Sequence, residues 1–173
     1  MRAPLPGSAF LGCLLCATAL HAGEMRGLES HVHGHATMQI AVDGNDASIA
    51  LEIPGESVVG FEHEAETDEQ KAAVASAREQ LADGDAVLVL PASAGCALGE
   101  AEVEVHAEGD HNAFEVAYSY SCSDTGALSS VETKLFELYP AIEEIEVEYA
   151  TGGGQGAVEL EPGNAVVQLP ASS

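Results

Sequence analysis

Apolar and polar residues alternate over two early stretches of the chain. Ala36-Thr37-Met38-Gln39-Ile40-Ala41-Val42 and Ala47-Ser48-Ile49-Ala50-Leu51-Glu52-Ile53 each turn every second residue to one apolar face, the period of a half-buried strand. Asp43-Gly44-Asn45-Asp46 between them tolerates a tight reversal, so the two runs predict a hairpin. Pro54-Gly55 ends it, and residues 58–63 lead towards a helix. Thr67 with Gln70 three residues on is a capping-box pattern. Ala72, Val74, Ala75, Ala77, Arg78 and Leu81 continue with helix-compatible residues, and Asp83-Gly84 supplies a stop. Residues 86–90, a nearly continuous apolar run closed by Pro91, predict a strand covered on both faces.

The same order then recurs. Strand-like residues 101–106, a turn over 107–112, strand-like 113–121, a helix over about 128–139 and a strand over 142–150 again make hairpin, helix, strand. Two such ββαβ units, each too small to bury a core alone, could pack against one another. Residues 151–156 are rich in glycine but lack the Lys-Ser/Thr ending of a phosphate cradle, so they are read as a flexible linker. Residues 157–160 and 165–169 predict a last hairpin around Pro162-Gly163-Asn164. The expected fold is α+β, with antiparallel sheets and two helices.

The first two dozen residues read differently. One basic residue, Arg2, precedes an apolar stretch over 9–20 and then small residues at Ala17, Ala19 and Ala22, the layout of an export signal. The stretch is short for a membrane span. Residues 1–22 are therefore expected to be a signal peptide, 23–30 a flexible leader, and 31–173 one domain that does not insert in a membrane. Cys13 and Cys16 would leave with the signal, and Cys96 and Cys122 remain as a pair. In an oxidising compartment that pair is expected to be a disulfide. Two zinc thiolates are the competing reading, against which stands the lack of close CxxC spacing.

Twenty-nine acidic residues against five Lys and Arg give a formal net charge of −24. Loss of residues 1–22 removes Arg2 and no acid, one positive charge fewer, leaving −25. Such a surface repels nucleic acid and anionic lipid and favours cations. A salt-adapted organism would give its exported proteins the same surface, so charge alone does not establish metal binding.

Three tracts carry candidate metal ligands. In an extended chain His31, His33 and His35 share one side, about 7 Å apart at the backbone, and neutral imidazole is a common zinc ligand; small Gly34 between them would leave room for close approach. In Glu62-His63-Glu64 a ring lies between two carboxylates, which could bind a metal or hold the ring in one tautomer. His106, Asp110 and His111 crowd a predicted hairpin tip. Ligands must bind deprotonated, so affinity should fall on acidification. No nucleophile elbow and no His-Glu-x-x-His helix occurs, so an enzyme is not expected. The bland alternative is a structural or protein-interaction module of the envelope whose histidines are incidental.

The His31-Val32-His33-Gly34-His35-Ala36 box before an alternating strand, Gly60-Phe61-Glu62-His63 ahead of a helix, Cys96 and Cys122 bracketing a His-containing strand pair, and Leu135-Phe136 beyond them resemble the zinc-regulated periplasmic zinc-binding proteins of the ZrgA type. The likeness runs over about residues 31–169. It implies a Gram-negative periplasmic protein that binds zinc and assists its uptake alongside a high-affinity importer. Members of that family often carry a long His/Asp-rich insertion between the cysteines; here its place is reduced to residues 106–111, which implies a smaller zinc capacity.

Overall fold

The computed structural model describes residues 34–108 and 111–171. The expected signal peptide, the leader, and the candidate ligands His31, His33 and Asp110 lie outside the described residues.

The first hairpin forms as its alternation requires. β1 (His35–Asp43) and β2 (Asp46–Pro54) pair antiparallel from Thr37↔Glu52 to Asp43↔Asp46, so Gly44 and Asn45 alone make the turn. Gly44 takes φ 58, the left-handed geometry that two-residue hairpin loops demand. β4 (Cys96–Glu108) and β5 (His111–Cys122) make a longer second hairpin, and β5 pairs with β2. On the other side β7 (Glu144–Thr151) runs parallel to β1, and β8 (Gly154–Leu160) returns antiparallel to β7. The sheet order is β4-β5-β2-β1-β7-β8.

One face of this sheet is the core. Met38, Ile40, Ile49, Leu51, Ile53, Phe114, Val116, Tyr118, Ile145 and Val147 all point inward. Burial of apolar side chains at this density is the dominant stabilising term. Helix α2 (Asp68–Ala82) covers part of that face through Ala77 and Leu81. The Tyr118 hydroxyl donates to the Leu81 carbonyl at 2.5 Å, and Arg78 Nη2 donates to the Val103 carbonyl at 2.8 Å. The capping box is present: Thr67 Oγ1 accepts from the Gln70 N–H, and Gln70 Oε1 accepts from the Thr67 N–H. A second sheet, β3 (Leu88–Val89), β6 (Ser130–Thr133) and β9 (Val166–Gln168) in the order β3-β6-β9, completes the cover with buried Leu88, Val131 and Val167. The architecture is α+β with mainly antiparallel sheets, as the patterning indicates.

Four local expectations change. Only Leu135–Leu138 of the second predicted helix is helical (α4). Residues 130–133 instead alternate in burial as a strand, because β-branched Val131 and Thr133 suit a pleat and the Thr133 hydroxyl takes the Leu135 N–H at 3.2 Å, starting the turn only there. Two short helices also appear: α1 (Gly55–Val59) follows β2, and α3 (Gly84–Val87) takes the place of the start of the strand expected over 86–90. The Asp83 carboxylate caps α3 by accepting the Ala86 N–H at 3.2 Å. The glycines at 152 and 153 form the β7–β8 turn rather than a linker, with Thr151 paired to Gly154. Residues 157–160 and 165–169 do not pair as a hairpin; the first belongs to β8, and β9 pairs with β6. The two halves differ in their element order: in the second, strand β6 comes between the hairpin and helix α4, and whereas β3 is an edge of the small sheet, β7 lies inside the large one, between β1 and β8.

Candidate metal centre

Strand direction decides where the histidines go. β1 begins at His35, β2 ends at Pro54, β4 ends at Glu108, β5 begins at His111 and β7 begins at Glu144, so all these termini lie at one end of the large sheet. The segment that follows β2 and α1 carries Glu62 and His63 back over that end. His35, His63, His106 and His111, the four described histidines of the candidate set, are thereby gathered with Glu62 at one end of the main sheet.

Each ring has one nitrogen engaged by an oxygen. His111 Nδ1 lies 2.6 Å from Glu62 Oε2, although the two are 49 residues apart. The Glu62 side chain is only 17% exposed, so this pair is partly shielded from water. His63 Nδ1 lies 2.8 Å from the Glu64 backbone carbonyl, and its ring stacks on Phe61 at 5.1 Å. His106 Nε2 lies 2.9 Å from Glu104 Oε2 and 3.5 Å from Glu115 Oε2. His35 Nδ1 lies 3.5 Å from Glu144 Oε1. A nitrogen facing a carboxylate or carbonyl oxygen carries the hydrogen, which places the lone pair of a neutral ring on the other nitrogen. That is the arrangement in which metal-binding histidines are usually held.

The rings do not meet at a point. His35 on β1 stands three strands from His106 on β4, about 14 Å at ordinary strand spacing. Among the described residues no three His, Cys, Asp or Glu side chains are gathered as a ready metal centre. His106 and His111 are closer. With His106 opposite Ala113 and Glu108 opposite His111, they are diagonal neighbours across the hairpin, about 7–8 Å apart at the backbone. His63 is drawn to the same tip, since its carbonyl accepts from Asn112 Nδ2 at 2.8 Å.

Several partners were not legible from sequence. Glu62 serves His111 and not its neighbour His63. Gly34 leaves no opening for a ligand: at φ +80 an added Cβ would press on Glu143 and the Ala141 carbonyl, and its own carbonyl takes the Glu143 and Glu144 N–H groups. Glu104, Glu115, Glu144 and Asn112 escaped notice altogether. Glu104 could have been found, because Glu100, Glu102, Glu104 and His106 alternate on one face of β4; Glu115 and Glu144 needed the strand register. Glu52, Glu104 and Glu115 lie in one cross-strand row and, with Glu102, line a hollow of about 350 Å³ over Ala50 and Ala117. Like charges directly opposed destabilise a sheet, and a nearby cation would relieve them.

Cys96 and Cys122 are bonded to each other at the far end of the β4–β5 hairpin. Both sulfurs are therefore occupied, which removes the zinc-thiolate alternative. Among the described residues no helix is long and apolar enough to cross a membrane.

An α+β domain that presents oriented imidazoles and carboxylates at one end of its sheet offers the nitrogen and oxygen donors that suit a borderline divalent cation. The family to which this chain belongs is the ZrgA family of zinc uptake proteins, which it matches over residues 30–169. No curated protein matches the chain. Its role is accordingly a zinc-related one.

Proposed function

We propose that the protein is a periplasmic zinc-binding protein of a Gram-negative cell, which holds zinc and passes it to an importer without changing it chemically. The observation that supports this most directly is the common posture of the four described histidines, each with one ring nitrogen facing an oxygen; the other nitrogen of His63 faces Gln70 Nε2 at 3.4 Å, a contact that a metal would replace. On this reading the tip of the β4–β5 hairpin is one station, with His63, His106 and His111 as ligands. Glu62 orients His111, and Glu104 and Glu115 hold His106 or bind alongside it. The start of β1 is the other, with His35 oriented by Glu144 and with His31 and His33 preceding it in sequence. Asp110 remains a candidate at the tip. Donors as exposed as His35, His106 and His111, about half open to solvent, favour an ion that is taken up and released over one that is locked in place.

Competition against a chromophoric chelator tests the reading. The intact protein should compete for zinc, and replacing His63, His106 and His111 together by Ala should weaken binding by at least about 10-fold with circular dichroism unchanged, as should the triple replacement of His31, His33 and His35. Retention of full affinity by both variants would reject it. Cell fractionation tests the location; recovery with cytoplasmic markers would refute the periplasmic part.

A further inference from the structure

Asn112 is a buried side chain for which the fold alone has little use. It follows His111 at the start of β5 and is only 6% exposed. Its Nδ2 donates to the His63 carbonyl at 2.8 Å, while its Oδ1 is buried with no hydrogen-bond partner. The neighbouring chain is shaped around it, since a Cβ on Gly55 would overlap the Asn112 carboxamide oxygen. A buried carboxamide with one unsatisfied end costs stability, and an apolar side chain with a matching wall at residue 55 would fill the space without that cost.

What the carboxamide does hold is the segment between α1 and α2. Residues 60–66 have no regular helix or strand. Two successive rungs tie them to β5: Glu62 to His111, and His63 to Asn112. The second rung fixes backbone. It therefore sets where the Glu62 carboxylate and the His63 ring stand relative to His111. We infer that Asn112 is a positioning residue of the hairpin-tip zinc station, holding the 60–66 segment so that Glu62 keeps His111 in its metal-binding tautomer. This inference rests on the zinc reading above.

The test uses zinc competition on the purified protein and its Asn112→Ala variant, each also in a Glu62→Gln background. Partners of metal-binding histidines typically contribute 10- to 100-fold in affinity, so Asn112→Ala should weaken zinc binding by about 10-fold or more. The metal-free melting temperature should stay near that of the parent. In the Glu62→Gln background the same change should cost clearly less, because the part of its effect that runs through the Glu62 carboxylate is already gone and only the part through His63 remains. Unchanged affinity in Asn112→Ala, or an equal further loss in the Glu62→Gln background, overturns the inference. If Asn112→Ala does not fold, the near-isosteric Asn112→Asp decides, since it lacks the donor to His63; full affinity there, or failure of both variants to fold, marks Asn112 as purely structural. A parent protein that fails to compete for zinc sinks the zinc reading itself, whereas a parent that binds alongside an unaffected Asn112→Ala sinks only this inference.

Discussion

Tyr118 and Tyr120 sit deep in the core side of β5, 1% and 3% exposed. Burial raises the Tyr118 phenol well above its ordinary range, with Tyr120, Tyr139 and Asp83 adding to the shift. Tyr120 is pushed up to about 12 by burial, then by Asp85 and Asp83. A folded-state value above the unfolded one means that stability is fully present below pH of about 10 and is lost as pH rises through the folded value. The fold should therefore weaken steadily above pH of about 10, and phenolate absorbance should rise together with unfolding. Phenolate appearing near pH 10 with the fold intact would contradict this. At the same scale, the sequence showed which histidines to watch but not their partners. His106 and His111 stood out by composition; that Glu62 reaches His111, or that Asn112 turns inward beneath it, depended on where the chain returns after α1, which no local pattern encodes.

The best-foretold element is α2, because its signals are local. Thr67 and Gln70 satisfy each other's backbone N–H groups, and the helix runs from there to the Asp83-Gly84 stop. Thr67→Ala should cost about 1 kcal/mol in a denaturant melt, and a change within error would show that tertiary contacts alone hold the helix. The β1–β2 hairpin was legible for a similar reason, as alternation and a two-residue turn agree. Errors fell where a segment was short or its partner distant. Residues 128–139 hold enough Leu, Glu and Phe to suggest a helix, yet Val131 and Thr133 pair across to β3 and β9, and that tertiary pairing outweighs weak propensity. The parallel placement of β7 beside β1 likewise has no signature in either strand.

On the scale of the whole molecule, the acidic composition is organised as well as abundant. The six strands of the large sheet contain no Lys or Arg, and its outer face carries the glutamate row beside His106. The disulfide fastens the same β4–β5 hairpin, with Cys96 opposite Cys122 at one end and Glu108 opposite His111 at the other. Twelve strand positions separate the two ends, about 40 Å at the rise of an extended chain. Replacing both cysteines by Ser should cost about 3 kcal/mol through loss of a closed loop spanning 26 residues, while zinc affinity at temperatures where the variant stays folded should be unchanged. A parallel loss of affinity would show that the two ends are coupled. On the proposed zinc reading, sulfur chemistry and cation binding sit apart along one ribbon: a shift towards reducing conditions would loosen the clasp at its base without spilling the cargo from its tip.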